Sequence, residues 1–190
     1  MDSVEIVDAD PRWPAEFLDM ASRLRGVLGA PAHRIDHIGS TSVPGLAAKD
    51  IIDIQITVTG VAEGETAGRA LAEAGWVLYE GIADDHDVPG LAPDQRKVFL
   101  NEPSGVRRVN LHVRVAGNPN QRYPLVVRDY LRTHPNSAQA YATLKRDLAR
   151  AFPNDMGRYA DTKDAACDLI YFAAEDWARS IDWEPGSSDA

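Results

Sequence analysis

The chain has 190 residues, of which 44% are hydrophobic and 26% charged, and its formal net charge at pH 7 is −9. These proportions are ordinary for a globular protein, and the length suits one well-buried domain better than two. The acidic balance argues against non-specific binding to nucleic acid, which needs a basic surface. Neither a secretory leader nor a stretch long enough to span a bilayer is visible, so we expect a cytoplasmic protein without membrane association.

The first 79 residues are predicted to form two helices and four strands. A helix at 13–28 carries apolar residues at helical spacing, and a second helix is expected at 60–74. The predicted strands lie at 4–7, at 34–38 and at 51–58, and a further short strand is expected at 76–79.

The turn Gly39-Ser40-Thr41-Ser42 is the first candidate for a binding site. It offers small hydroxyl side chains and exposed backbone N–H groups, which are the material of an anion-binding nest. His37 lies two residues before Gly39 on the preceding strand and can reach this turn, so it is a candidate base or ligand.

The strand at 51–58 alternates strictly, with isoleucine and valine on one face and polar side chains on the other. Asp53 lies on the polar face, and a carboxylate beside a Gly-Ser turn suits Mg²⁺ that holds the phosphates of a nucleotide. Gln55 shares this face. Lys49, just before the strand, can pair with a phosphate or be a plain surface lysine, and the sequence leaves both open.

The middle of the chain predicts an acidic loop between strands. Residues 81–94 are rich in Gly, Pro and Asp, which favours a surface loop that is solvated, with a metal site at Asp84–Asp87 as the alternative. Strands follow at 96–101 and 107–115. On the second of these strands Asn110, His112 and Arg114 form a polar set.

The last third of the chain is predicted to be helical, with helices at 122–133, 135–152 and 156–181. Arg128 and Lys163 on these helices can bind an anionic ligand, or they can pair with neighbouring acids and pack against Tyr159. The Gly/Ser-rich residues 184–190 are predicted to be a disordered tail. One α+β domain over 1–183 follows, with a mixed sheet and a helical C-terminal half.

The motifs HIGSTSVPGL, IIDI, VNLHV, RDYLRTHP, YATLKRDLA and YADTK occur in this order. With the opening VEIVDADPRWPAEF, they resemble the GrpB family over nearly the full length. More distantly, the chain resembles the nucleotidyltransferase superfamily that includes DNA polymerase beta. The resemblance implies a nucleotidyltransferase-like fold in which VNLHV lies beside the strand at 51–58.

The resemblance also implies a set of site residues, and the chain departs from it. Gly39 and Ser40 match the Gly-Ser turn of the superfamily, and Asp53 matches its first carboxylate. Gln55 stands where the second carboxylate would be, and the VNLHV strand offers His112 instead of a third acid. Asp53 alone would carry Mg²⁺, with His112 or His37 as general base or ligand.

Three functions are compatible with the sequence. The first is an enzyme that binds a nucleoside triphosphate or another phosphorylated small molecule and transfers a group to a small acceptor. The second is a non-catalytic module that binds a ligand or a partner, favoured by the missing carboxylates and by family members fused to dephospho-CoA kinase. The third is a metal-independent transferase or ligase of small-metabolite biosynthesis.

Overall fold

The computed structural model describes residues 3–29, 32–79, 84–91 and 96–190. Within these ranges the elements follow in the order α1 (Trp13–Leu28), β1 (Arg34–Ile38), a 3₁₀ turn (Ser40–Ser42), β2 (Ile52–Val58), α2 (Val61–Glu73), β3 (Val77–Leu78), β4 (Val98–Asn101), β5 (Val109–Val115), α3 (Pro119–Thr133), α4 (Pro135–Ala151) and α5 (Met156–Ser180). The predicted α+β class, with a mixed sheet and a helical C-terminal half, is confirmed.

The strands form one sheet in the order β1-β2-β5-β4-β3. The central pair, β2 and β5, is parallel, and it places Asp53 opposite Asn110 and Gln55 opposite His112. The other neighbouring strands pair in antiparallel fashion. The expected neighbourhood of the VNLHV strand and the 51–58 strand is therefore confirmed, and it joins their polar side chains in one floor.

One face of the sheet is apolar and packs against α1 and α2. Ile52, Ile54 and Ile56 of β2 are fully buried there, together with Leu111 of β5. Because side chains alternate across a strand, the same strands present their polar residues to the opposite face. The C-terminal helices cover that face: the amide of Gln55, for example, donates to the backbone carbonyl of Gln121 on α3 over 2.9 Å.

Two segments differ from the sequence prediction. Residues 4–7 are not a regular strand, since only Val7 forms a bridge, with Ala48. The end of the chain, predicted to be disordered, instead lies along β1: Ala190 N–H donates to the Ile35 carbonyl over 3.2 Å. The Asp189 carboxylate accepts from the His37 N–H over 3.0 Å. Composition alone overlooks the free edge of β1, to which a polar segment can bind.

The acidic loop falls partly outside the described residues, which include 84–91 but neither 80–83 nor 92–95. None of the helices in the described part of the chain combines the length and the apolar character needed to cross a membrane.

Candidate functional site

Two adjoining cavities open between the polar face of the sheet and helices α3 to α5. The first has a volume of about 380 Å³ and the second about 400 Å³, and Gly39, Asp53, His112 and Lys163 line both. We call the first the lysine chamber, because Lys49 and Lys145 line it and not the second cavity. We call the second the arginine chamber, because Arg114 lines it and not the first cavity. Each volume falls in the range of small-molecule sites.

The Asp53 carboxylate forms part of the wall shared by the two chambers. Its Oδ1 atom accepts a hydrogen bond from the Asn110 amide across the strand pair, over 2.8 Å. A Cβ atom on Gly39 would lie only 2.4 Å from Asp53 Oδ2, and Gly39 has a φ of +68°. Both facts require glycine at the turn. Burial raises the pKa of Asp53 above its ordinary value.

Only one of the three hydroxyl groups in the predicted nest faces the ligand cavity. Ser40 lines the lysine chamber. The buried Ser42 hydroxyl donates to the Gly39 carbonyl over 2.6 Å. The buried Thr41 hydroxyl is 3.0 Å from His37 Nε2. Thr41 and Ser42 therefore shape the turn, and Ser40 is available to a ligand.

Lys145 of α4 is the most deeply buried cation of the lysine chamber, with only 2% of the residue exposed. Its Nζ donates to Ser40 Oγ over 2.8 Å and to the Ala47 carbonyl over 2.5 Å. It also lies 4.5 Å from the centre of the Tyr141 ring. Within the described residues it has no carboxylate in salt-bridge range, and burial lowers the pKa of Lys145 to about 7.

Two further lysines approach the same space. The Nζ atom of Lys49 lies 3.7 Å from the sulfur of Met156 and 5.6 Å from the centre of the Tyr159 ring. Burial lowers the pKa of Lys49. Lys163 is paired with Asp164 over 2.7 Å and lies 3.7 Å from Cys167 Sγ. The lysine chamber thus gathers cations around one carboxylate.

The arginine chamber is built around an internal ion pair. Asp85 accepts from Arg114 at two points, over 2.9 and 2.8 Å, and from Lys97 over 2.5 Å. Burial raises the pKa of Asp85, but Arg114 and Lys97 outweigh it and hold that pKa far below its usual range. Asp85 is therefore anchored to the sheet, and the solvated-loop interpretation is wrong for this residue.

Gln55 and His112 share the polar face, but their hydrogen bonds differ from those expected. Gln55 Oε1 accepts from Arg114 over 2.8 Å, so its amide is engaged at both ends and does not line either chamber. His112 lines both chambers, and burial lowers its pKa well below 6.5. Since the Arg114 guanidinium can only donate, the contact of 3.3 Å to Nδ1 makes His112 a neutral ring with a proton on Nε2. In this arrangement Nδ1 is occupied by Arg114, and the Nε2–H is the group that His112 can offer to a ligand.

His37 and Arg128 serve the scaffold in this structure. His37 pairs with Ile54 in the sheet register and stacks on Phe17 of α1 at 4.8 Å, on the face opposite Asp53. It is absent from the described lining of both chambers, and burial lowers its pKa to about 3. Arg128 lines the lysine chamber, but its guanidinium is paired with Asp129 and Asp189, each over 2.7 Å.

Sequence reasoning missed Lys145 and Tyr141 as parts of the site, whereas Asn110 belongs to the polar set that the sequence predicted. Lys145 lies in the YATLKRDLA motif, where the buried positions of α4 are otherwise apolar or aromatic. A lysine on the buried face of an amphipathic helix is a signal that could have been found, because such a residue has no solvent to reach.

The residues do not fit the resident two-metal centre that the fold implies. Among the described residues, no three His, Cys, Asp or Glu side chains form a group that could hold a metal ion, which also overturns the metal interpretation of Asp84–Asp87. The amide of Gln55 is occupied by hydrogen bonds to Arg114 and Gln121. Among the described residues, Asp53 is the single carboxylate that lines the lysine chamber.

Comparison with solved structures defines the class of fold. The Cid1 poly(U) polymerase in its MgGTP-bound structure matches with a TM-score of 0.51, at 11% identity over 76% of this chain and 44% of that chain. A crystal structure of the conserved protein GrpB from Enterococcus faecalis matches with a TM-score of 0.75. Its identity is 28%, and the match covers 91% of this chain and 99% of that one. The fold is nucleotidyltransferase-like.

The family description of the GrpB protein matches residues 3–172. The chain belongs to the GrpB family. It is 37% identical to a UPF0157 protein of Halalkalibacterium halodurans over 132 residues, which is 70% of this chain and 62% of that protein. It is 33% identical over 198 residues to a dephospho-CoA kinase of Mycolicibacterium paratuberculosis, covering 96% of this chain. The chain spans only 48% of the length of that kinase.

Proposed function

We propose that the lysine chamber binds the phosphates of a small phosphorylated ligand, with a nucleoside triphosphate as the first candidate, and that the enzyme transfers a group from it to a small acceptor. One observation carries this proposal: Lys49 and Lys145 line a cavity with Ser40 and have no carboxylate salt bridge within the described residues. A buried cation without a counter-ion costs stability, and such a cost is typical of functional sites.

Charge supports a phosphate ligand over a neutral one. Lys49, Lys145 and the Ser40 hydroxyl can each donate to phosphate oxygens, and charge-assisted hydrogen bonds are about twice as strong as neutral ones. The protein as a whole carries a net charge of −9, so the cationic chamber is a local exception that favours a small anion over a nucleic acid. The proposed location of the protein is the cytoplasm, where such ligands are abundant.

Magnesium enters this proposal only as part of the substrate. A single carboxylate holds Mg²⁺ weakly, because the ion needs six oxygen ligands in octahedral geometry. A Mg²⁺–nucleotide complex brings phosphate oxygens with it, and Asp53 can add one protein ligand. The chain's own groups then orient the phosphates through Lys49, Lys145 and Ser40, and the Nε2–H of His112 is available to a ligand oxygen.

The non-catalytic alternative has its own supporting observation. Gln55, which occupies the position of the second carboxylate, is locked by Arg114 and Gln121 and cannot assist a metal. A module that binds a phosphorylated ligand without turning it over would need only the lysine chamber. The metal-independent transferase would use the same chamber with lysines in place of metal ions.

A thermal-shift screen separates these possibilities. The protein is heated with each nucleoside triphosphate, with pyrophosphate and with sugar phosphates, in the presence of Mg²⁺ or of EDTA. Ligands that bind the folded state raise the melting temperature by mass action. A rise in melting temperature together with product formation on added acceptors supports the enzyme. A rise without turnover supports the non-catalytic module. A rise and turnover that both persist in EDTA support the metal-independent transferase. Failure of all phosphorylated ligands to shift melting would refute the proposal.

A further inference from the structure

The hydroxyl group of Ser40 and the amine of Lys145 form a pair that phosphate binding alone does not require. The two atoms are 2.8 Å apart, within hydrogen-bond distance. Lys145 is held from the other side by the Ala47 carbonyl, and the Tyr141 ring covers it. Both members of the pair line the lysine chamber, so a ligand in the chamber would meet the Ser40 oxygen directly.

We infer that Ser40 is a nucleophile in the lysine chamber and that Lys145 is its general base. A serine hydroxyl is a weak nucleophile unless a neighbouring base takes its proton. The geometry supplies that base at the right distance. The two neighbouring histidines are engaged elsewhere, since His37 is 3.0 Å from Thr41 on the other side of the turn and the Nδ1 of His112 accepts from Arg114.

The surroundings of Lys145 bring the neutral amine within reach at physiological pH. Burial is the largest effect on its pKa, which falls to about 7. Of the charged groups nearby, Lys163 and Arg146 lower this pKa further, whereas Asp53 and the Cys167 thiol oppose them. A neutral Nζ with a free lone pair that can accept the Ser40 proton is therefore accessible near pH 7.

The proposed chemistry is displacement at phosphorus and rests on the proposed nucleotide donor for its first step. Ser40 Oγ forms a bond to the electrophilic phosphorus, pyrophosphate leaves with the electrons of the broken P–O bond, and Nζ takes the hydroxyl proton. An acceptor then attacks the phosphorus of the resulting nucleotidyl-serine, and the Oγ–P bond breaks. The ammonium of Lys145 returns its proton to Oγ, and the neutral amine takes the acceptor's proton. A covalent intermediate of this kind would divide one difficult step into two.

A fluorophosphonate probe tests the pair without any nucleotide. Its P–F bond breaks as Ser40 Oγ bonds to phosphorus, fluoride leaves, and Lys145 takes the proton. We expect an intact-mass increase of one probe adduct, and peptide mapping of the wild-type protein should place it on Ser40. An adduct on any other residue, or none after prolonged incubation, would overturn the inference.

Variants distinguish a general base from a phosphate-binding cation. Ser40→Ala should abolish the adduct, whereas the matched control Ser42→Ala should retain it, because Ser42 bonds the Gly39 carbonyl away from the chamber. Lys145→Met and Lys145→Arg should each slow labelling roughly 100-fold or more, as expected for loss of a general base. Arginine keeps the charge but cannot give up its proton, so wild-type labelling by Lys145→Arg would refute the role.

The pH profile adds a readout that a structural role would not change. The labelling rate of the wild type should rise as the pH increases through about 7 and level off at higher pH, once Lys145 is neutral. A flat profile from pH 6 to pH 9 would contradict the assignment. If nucleotides raise the melting temperature but the probe does not react, the nucleophile–base role of Ser40 and Lys145 is refuted and the proposed binding function stands. If the probe labels Ser40 but no nucleotide raises the melting temperature, the pair stands and the proposed nucleotide ligand is refuted.

Discussion

The two faces of the sheet place opposite demands on neighbouring residues of β2. Ile54 points to α1 and α2 and is fully buried among apolar side chains, whereas Asp53, one residue earlier, points to the helical C-terminal half and lines both chambers. The cluster on the apolar face consists of hydrophobic side chains, and His37 beside it is neutral because burial lowers its pKa to about 3. The helices that cover the polar face instead include a deeply buried lysine, Lys145 of α4.

This contrast indicates that stability and function are divided between the faces. Apolar burial stabilises a protein by about 25 cal/mol per Å², and it is concentrated where α1 packs. A cation such as Lys145 opposes folding, so it is retained for what it binds and not for what it stabilises. Variants on the two faces should therefore change stability in opposite directions.

The largest effect should come from the apolar face. Ile54→Ala removes buried methyl groups and leaves a cavity, which should lower the free energy of unfolding by about 2–5 kcal/mol. For a chain of this length that is roughly 4–20 °C in melting temperature. Urea unfolding would measure the loss, and a change below 1 kcal/mol would contradict the assignment of this face as the main source of stability.

Lys145→Met should have the opposite sign. Lysine has a pKa of 10.5 when unfolded and about 7 here, so the unfolded state binds more protons between these values. Stability of the wild type therefore rises from pH 7 to pH 10.5, and the lysine costs most at pH 7 and below. After the Ala47 carbonyl loses its donor, we expect a net gain of about 2–3 kcal/mol at pH 7.

Melting curves of both proteins between pH 7 and pH 10 check this expectation. The advantage of Lys145→Met should shrink steadily as pH rises. A variant that is less stable than the wild type at pH 7 would show that Lys145 is a structural partner of Ser40 and Ala47, and it would weaken the division between the faces.

The apolar face should respond to acid through His37. Its pKa is 6.5 when unfolded and about 3 in the folded protein, so below pH 6.5 the unfolded state binds the extra proton. Between pH 6.5 and about pH 3, stability should therefore fall by about 1.4 kcal/mol per pH unit from this residue alone. His37→Leu removes the titration, and its unfolding free energy should fall less steeply with acid; an identical slope in both proteins would exclude this effect.

The smallest effect on stability should come from Asp53→Asn. The substitution keeps the shape and the hydrogen-bonding position opposite Asn110 and removes a charge whose pKa burial has raised. We expect a change within about 1 kcal/mol, typical of a site held at some expense of stability. Thermal-shift measurements should show loss of the Mg²⁺-dependent part of the response to nucleotide. A large loss of stability with that response intact would contradict the site.

Much of the fold was predictable because its periodicities are strong. The alternation of β2 predicted which of its side chains lie on the apolar face and which on the polar face. The predicted ends of the helices α4 and α5 lie within two residues of the observed ends. Contacts between residues that are far apart in the sequence could not be predicted from local patterns. Asp85 is held by Arg114 from a strand far along the sequence, and the segment containing Asp189 lies along β1 only because that edge is free.

The part of the candidate site on the sheet and the Gly-Ser turn was predictable, whereas the part on the C-terminal helices was not. The turn and the polar alternation of β2 identify Gly39, Ser40 and Asp53 directly. Lys145 escaped notice because helical periodicity shows which positions are buried but not which cavity they face. His37 was misplaced for a related reason: its proximity to the turn is real, but the pleat directs its ring toward Phe17.

Calorimetric titration tests the central claim most directly. Pyrophosphate and nucleoside triphosphates are titrated into the wild type, into Lys145→Met and into Arg150→Met, an exposed cation of the same helix that pairs with Asp147. The account predicts saturable binding to the wild type and the Arg150 control, weakened at least tenfold in Lys145→Met, which is about 1.4 kcal/mol. Equal binding by all three proteins, or binding by none, would contradict a phosphate site in the lysine chamber.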